Sequence, residues 1–167
     1  NQPLTHPYGK GLCQLPGFKC IDVSSYRDWD VLFPNKLKRE IVMRLNRINA
    51  ALYYSKTIAV PKSWKNFNYM DLSPFPFHRD THGKKLLLVD LRVFAFGAYS
   101  AQGNLEFWGP ASGGRSWCNE LNRSCKTLAG DFRIFRIQGE TCKSSAFPIS
   151  SNGGASMPYC MHYFRGF

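Results

Sequence analysis

The spacing of hydrophobic residues changes along the chain from a helical period to that of strands. In residues 35–54 the apolar positions are three or four residues apart, which predicts an amphipathic helix. These positions are Leu37, Ile41, Leu45, Ile48 and Leu52. Asn35, after Pro34, has the side chain and position expected of the helix N-cap. The front third of the chain is therefore expected to be partly helical.

From residue 57 onward the pattern favours strands. Residues 57–61 form a short apolar run that ends at Pro61, and residues 85–90 form a continuous one, typical of a strand buried on both faces. Residues 92–99 and 104–109 should pair across the Gly-containing turn between them. Two more strands are predicted, at 131–138 and 157–164.

These elements predict a mostly β protein in three parts. Residues 1–61 form an N-terminal segment with the helix, in which residues 1–34 are loops and short extended pieces. Residues 62–84 are a Pro-rich connector, because the prolines there disfavour both a helix and a strand. Residues 85–167 form the β-rich domain.

Composition limits the class of protein. The chain has 167 residues, 44% of them hydrophobic, which suits a globular protein with a sizeable core. No apolar run approaches the roughly 18 residues of a membrane span, and no secretory leader is visible, so a chain starting at Asn1 is expected to be a processed form. The formal net charge is +11. The basic residues are scattered and no nucleic-acid-binding motif is present, so the expected partners are other anionic surfaces and not nucleic acid.

Six cysteines suggest disulfides. Cys13 and Cys20 enclose six residues, as do Cys118 and Cys125, which leaves Cys142 and Cys160 as the third pair. Six cysteines allow 15 connectivities, so this pairing is a preference, and a zinc site or free thiols remain as alternatives. Disulfides place the chain in an oxidising compartment: the periplasm, the envelope or outside the cell.

Two groups of residues could carry chemistry. On an extended strand Cys160 and His162 share one face, which allows a thiolate–imidazolium pair, although a paired Cys160 would exclude it. His78, Asp80 and His82 have a metal-like composition, but neighbouring prolines and lysines favour a solvated loop. We therefore expect no metal and no cofactor.

An ordered set of motifs resembles the YkuD-type L,D-transpeptidases, the cysteine enzymes of bacterial cell-wall remodelling. The set consists of Ser112-x-Gly114, then Thr127-x-x-Gly130-x-Phe132, then Met157-Pro158-Tyr159. Upstream, residues 44–61 resemble the segment that often precedes this catalytic domain and the second half of a LysM-like module. Leu128 stands where the family usually has proline.

The resemblance implies a YkuD-like β-sandwich catalytic domain at 85–167 that acts on peptidoglycan stem peptides. Tyr159, Met157, Met161, Ser112 and Gly114 would face the substrate. The family's His-Gly step and its Ser-His-Gly-Cys motif, which supplies the nucleophile, do not occur after Phe164. The domain is therefore expected to lack its C-terminal side and, as given, to be inactive. An exposed sheet edge should remain, to be covered by a partner chain or by the missing segment.

Two other functions remain open. The chain could be a non-catalytic secreted protein that binds peptidoglycan or a protein partner. It could also be an unrelated basic secreted protein, such as a small nuclease that uses histidine and lysine.

Overall fold

The computed structural model describes residues 7–49, 55–144 and 156–164, and the chain divides into two compact units, Asn1–Ser112 and Gly113–Phe167. Strands are the prevailing regular structure and lie in three small antiparallel sheets, which confirms the β-rich class. All three predicted disulfides are present: Cys13–Cys20, Cys118–Cys125 and Cys142–Cys160. Three disulfides are typical of secreted proteins. Within the described ranges, no helix is long and apolar enough to span a bilayer.

After a short 3-10 helix at Gly9–Gln14, the first unit contains a β–α–α–β arrangement. Strand β1 is Phe18–Val23, helix α1 is Tyr26–Leu32, helix α2 is Lys36–Leu45 and strand β2 is Lys56–Pro61. The strands pair antiparallel, with Phe18 opposite Pro61. One buried cluster joins the helices to the strands: Val23, Trp29, Phe33, Val42, Ile48, Ile58 and Val60. Helix α1 was not predicted, because residues 1–34 were interpreted as loops and extended pieces.

Helix α2 begins as predicted and ends early. The Asn35 side chain accepts a hydrogen bond from the Lys38 N–H at 3.0 Å, which confirms the N-cap. The helix stops at Leu45, not at residue 54, because Arg47 adopts a left-handed conformation with φ of 54°. Residues 50–54 of the prediction lie outside the described residues.

A three-stranded sheet follows. Strands β3 (Leu86–Asp90), β4 (Ala95–Tyr99) and β5 (Leu105–Pro110) are antiparallel in the order β3–β4–β5, and β4 and β5 are joined by the predicted turn. The expectation that β3 is buried on both faces is wrong. It is an edge strand with β4 as its sheet neighbour, and its Leu87 and Val89 side chains are 41% and 49% exposed.

A second buried cluster spans the predicted boundaries at residues 61 and 85. Trp108 is fully buried at its centre, with Leu12, Phe18, Leu45, Ala59, Phe75, Val93, Ala95, Tyr99 and Leu105 around it. Arg44 and Arg47 stack over this cluster, with guanidinium carbons 5.9 and 4.9 Å from the Trp108 ring centre. The N-terminal segment, the connector and the first sheet therefore share one core. The boundary between the two compact units falls after Ser112.

The second unit has little regular structure. Its sheet consists of β6 (Arg136–Ile137) paired with β7 (Met161–His162), much shorter than the strands predicted at 131–138 and 157–164. Tyr159 has a left-handed backbone with φ of 60°, which prevents an extended strand through the preceding residues. Among the described residues of this unit, only Cys118 and Cys142 are buried. Disulfides and short ladders hold it together.

Candidate functional site

The first two motifs of the ordered set are bonded to each other in the second unit. The Gly114 N–H donates to Thr127 Oγ1 at 2.8 Å. A β-carbon at Gly114 would lie 1.9 Å from the carbonyl oxygen of Cys125, so no residue with a side chain fits this backbone. The Cys118–Cys125 disulfide closes the loop between them. A glycine and a threonine 13 positions apart are thereby fixed together.

The second motif also contacts the end of the described chain. Gly130 has φ of 150°, and a β-carbon there would come within 3.2 Å of the Phe132 ring. That ring packs on Tyr163 and Phe164, with centroids 5.0 and 5.8 Å away. Segments around residues 114, 127–132 and 163–164 therefore form one contact network, which we call the motif cluster.

The β6–β7 ladder sets which side chains share a face. Arg136 lies opposite His162, and the Gln138 N–H donates to the Cys160 carbonyl at 3.0 Å. Cys160 Sγ is 3.5 Å from His162 Nε2, as expected for a shared face. Because Cys160 is bonded to Cys142, it supplies no thiolate in this state.

The predicted substrate-facing residues are all exposed. Tyr159, Met157 and Met161 are 57%, 40% and 45% accessible and lie in the second unit with Gly114. Ser112 is exposed at the last position of the first unit. Met157, Tyr159 and Met161 lie close together along the chain.

Tyr159 has a partner that sequence reasoning missed. Its hydroxyl donates to the Glu140 carboxylate, and this bond raises the pKa of Tyr159. The Tyr159 N–H donates to the Gly139 carbonyl at 3.0 Å. Gln138 was missed as well, although its Oε1 is 2.8 Å from His162 Nε2. Neither residue stood out, because only the pairing of β6 with β7 brings them to these partners.

The His78–Asp80–His82 group does not converge. His82 Nδ1 is 3.2 Å from Asp80 Oδ2, while His78 Nδ1 pairs with Asn104 Oδ1 at 3.3 Å. The side chains of His82 and Asp80 are 86% and 76% exposed, as in the solvated loop that the sequence favours. In the described part of the chain, the one group of three potential metal ligands is Cys142, Cys160 and His162.

The second unit also exposes many large apolar side chains. Ten of its described residues each have at least a third of their surface accessible: Trp117, Leu128, Phe132, Ile134, Phe135, Ile137, Met157, Tyr159, Met161 and Phe164. We call this set the apolar surface. Two of its members, Phe135 and Ile137, are 63% and 69% exposed and lie at or beside the short ladder. Where such side chains lie next to one another, exposure of this extent is typical of surfaces that contact another chain or segment.

Comparison with known proteins assigns no family, because no protein-family model, curated protein or solved structure matches the chain.

Proposed function

We propose that this chain is the stem-peptide-binding part of a YkuD-type L,D-transpeptidase of the bacterial periplasm. The observation that carries the proposal is the motif cluster, because the first two motifs are hydrogen-bonded to each other and the second packs on Tyr163 and Phe164, a few residues after the third. Residues 85–167 would then belong to the family's β-sandwich catalytic domain.

The chemistry of such an enzyme is acyl transfer through a cysteine. A thiolate attacks the carbonyl of a tetrapeptide stem and expels the terminal D-alanine, and the acyl group then passes to an amine of a second stem. All six cysteines of this chain are in disulfides, so none of them is that nucleophile. The role proposed for these residues is binding, with Tyr159, Met157 and Met161 along one wall of the cleft.

Two further observations support a cell-wall role. The net charge of +11 suits a polymer whose stem peptides carry carboxylates. The β–α–α–β arrangement of residues 18–61, with its two strands adjacent and antiparallel, is the layout a LysM-like module would have.

A non-catalytic protein that binds peptidoglycan is the second candidate. It is favoured by the same disulfides, because a chain without a free thiol can bind stem peptides but cannot form the acyl-enzyme. The apolar surface would then contact a partner protein.

Sedimentation with purified peptidoglycan sacculi tests binding. We expect the chain to sediment with sacculi, and Tyr159→Ala to weaken this several-fold. Phe77→Ala is the matched control, since Phe77 is 58% exposed and lies in the first unit. Binding that is equal in both variants would contradict the role of Tyr159. Binding that disappears at high salt in all of them would reflect net charge alone.

A second assay separates binding from catalysis. Incubated with a tetrapeptide stem, the chain should release no D-alanine, and release would show that another group acts as the nucleophile. RNA degradation that stops after acylation of histidine would instead favour the nuclease hypothesis and overturn the proposal.

A further inference from the structure

The Cys142–Cys160 disulfide has a histidine beside it. The two Sγ atoms and His162 Nε2 all lie within 4.8 Å of one another. Cys142 is 4% exposed, so the group is shielded on one side. In the described residues neither Cys13–Cys20 nor Cys118–Cys125 belongs to such a group. This arrangement is independent of the proposed function.

One of these distances already suits a tetrahedral metal ion. Zinc bonds to sulfur and imidazole nitrogen at lengths that place these two atoms about 3.5 Å apart on one ion. Cys160 Sγ and His162 Nε2 are already 3.5 Å apart. The two sulfurs would have to separate from bonding distance to about 3.8 Å, the edge of the same tetrahedron. The change needed is therefore a rotation of the cysteine side chains.

A fourth polar atom lies at the same place. Gln138 Oε1 is 2.8 Å from His162 Nε2, 3.3 Å from Cys160 Sγ and 3.4 Å from Cys142 Sγ. Disulfide sulfurs carry no proton, so in the oxidised form only the His162 N–H can donate to this oxygen. With a metal bound, the oxygen is positioned beside the fourth coordination site.

Backbone hydrogen bonds hold these residues in addition to the disulfide. The Phe135 N–H donates to the His162 carbonyl, and the Gln138 N–H to the Cys160 carbonyl, both at 3.0 Å. The Cys142 N–H donates to the Gly139 carbonyl at 3.3 Å. These bonds involve no sulfur atom, and they place Gln138, Cys160 and His162 on one face of the ladder.

We propose that reduced Cys142 and Cys160 form a zinc site with His162. A phosphine in water breaks the sulfur–sulfur bond, giving two thiols and the phosphine oxide. Zinc then displaces one proton from each thiol and takes the lone pair of His162 Nε2, whose ring proton resides on Nδ1. The segment is held by a disulfide under oxidising conditions and by zinc under reducing ones.

Cobalt titration of the full chain tests the site. Under anaerobic phosphine reduction, we expect one equivalent of Co²⁺ to bind with the thiolate charge-transfer and visible bands of tetrahedral cobalt, and zinc to displace it. His162→Gln should weaken cobalt binding at least about tenfold, since even partners outside the coordination shell contribute that much. Oxidised protein should bind none.

A matched pair of variants separates this site from the other cysteines. Cys142→Ser with Cys160→Ser should abolish the bands, whereas Cys118→Ser with Cys125→Ser should leave them unchanged. His162→Gln retains every cysteine, and circular dichroism of its oxidised form checks that it folds. Equal binding by wild type and His162→Gln, or loss in the Cys118/Cys125 variant alone, would overturn the proposal.

Discussion

Asn46 connects helix α2 to strand β2 through its side chain. Its Nδ2 donates to the carbonyls of Val42 and Ala59 at 2.7 and 2.8 Å, and its Oδ1 accepts from the Ala59 N–H at 2.8 Å. The residue is buried, with 4% of its surface exposed. Asn46 is the C-cap of helix α2, and its three bonds attach that end of the helix to strand β2.

Replacing Asn46 tests this connection. Asn46→Ala should lower the free energy of unfolding by about 1–3 kcal/mol, because it leaves the buried Ala59 N–H without an acceptor. Urea unfolding of purified protein measures the loss. Asn49→Ala, at a nearby exposed asparagine, is the control and should change stability little. Similar losses in both variants would mean that the bonds of Asn46 are not what stabilises the helix end.

Gly114 is required by the backbone around it. Gly114→Ala would place a β-carbon 1.9 Å from the Cys125 carbonyl oxygen, and relieving that overlap should cost about 1–3 kcal/mol. Gly139→Ala in the same unit is the control, because a β-carbon there meets nothing within 4 Å. Faster proteolysis of residues 113–167 in the Gly114 variant alone is the expected result. Equal protection of the two variants would contradict the close approach.

Helix α1 depends on a carboxylate at its start. Asp28 Oδ2 accepts from the Ser24 hydroxyl at 2.7 Å and from the N–H groups of Ser24 and Ser25 at 2.7 and 2.8 Å. These bonds, that from the Ser24 hydroxyl first, lower the pKa of Asp28 from 3.8 to about 2. Such bonds stabilise the start of a helix of only seven residues, Tyr26–Leu32.

This pKa predicts a pH dependence. A carboxyl whose pKa is lowered by folding stabilises the protein above its unfolded pKa of 3.8, and the contribution is lost as the pH falls through about 2. Asp28→Asn should therefore be less stable than wild type at neutral pH, and the difference should vanish between these two values. Thermal unfolding at a series of pH values measures it. Asp131→Asn, at an exposed carboxyl of the second unit, is the control; a constant difference for Asp28→Asn would contradict the assignment.

Strand β3 shows how an element can be identified correctly and placed incorrectly. Its apolar run suits a strand, and the strand is there, but β4 is its neighbour in the sheet, and Leu87 and Val89 remain accessible. Composition identifies strand residues, whereas burial depends on which other segments pack against each face. In the second unit the same limitation applies to Tyr159, because a left-handed residue interrupts an otherwise strand-like sequence.

The two units differ in how they are stabilised. The first contains both buried clusters, including Trp29 and Trp108 at 0% exposure. The described part of the second contains two buried cysteines and the apolar surface. The first unit is therefore stabilised mainly by hydrophobic burial, and the second mainly by its disulfides.

The apolar surface should make the isolated chain self-associate. Ile137→Lys introduces a charge at a side chain that is 69% exposed, and we expect it to reduce association because two such surfaces would repel. Sedimentation velocity over a range of concentrations measures this. Leu37→Lys, at 71% exposure on helix α2, is the matched control and should have no effect. A wild-type chain that stays monomeric at all concentrations would contradict the role of this surface.

Features set by neighbours in the chain could be predicted from the sequence. Four such features depend on residues that are close in sequence. They are the Asn35 cap, the first turns of helix α2, the hairpin of β4 and β5, and the two disulfides that close short loops. Their patterns of spacing and turn residues are therefore sufficient.

Features that depend on contacts between residues distant in the sequence could be identified only in the folded structure. Three such features join positions that are 13 or more apart in the sequence. They are the bonds of Asn46 to Ala59, the shared core of residues 12–108, and the contacts of Gln138 with Cys160 and His162. The register of two strands and the burial of a side chain depend on every segment that packs nearby, and one-dimensional spacing does not contain that information. The candidate zinc site exists only because a two-residue ladder aligns Arg136 with His162 and so brings Gln138 to Cys160.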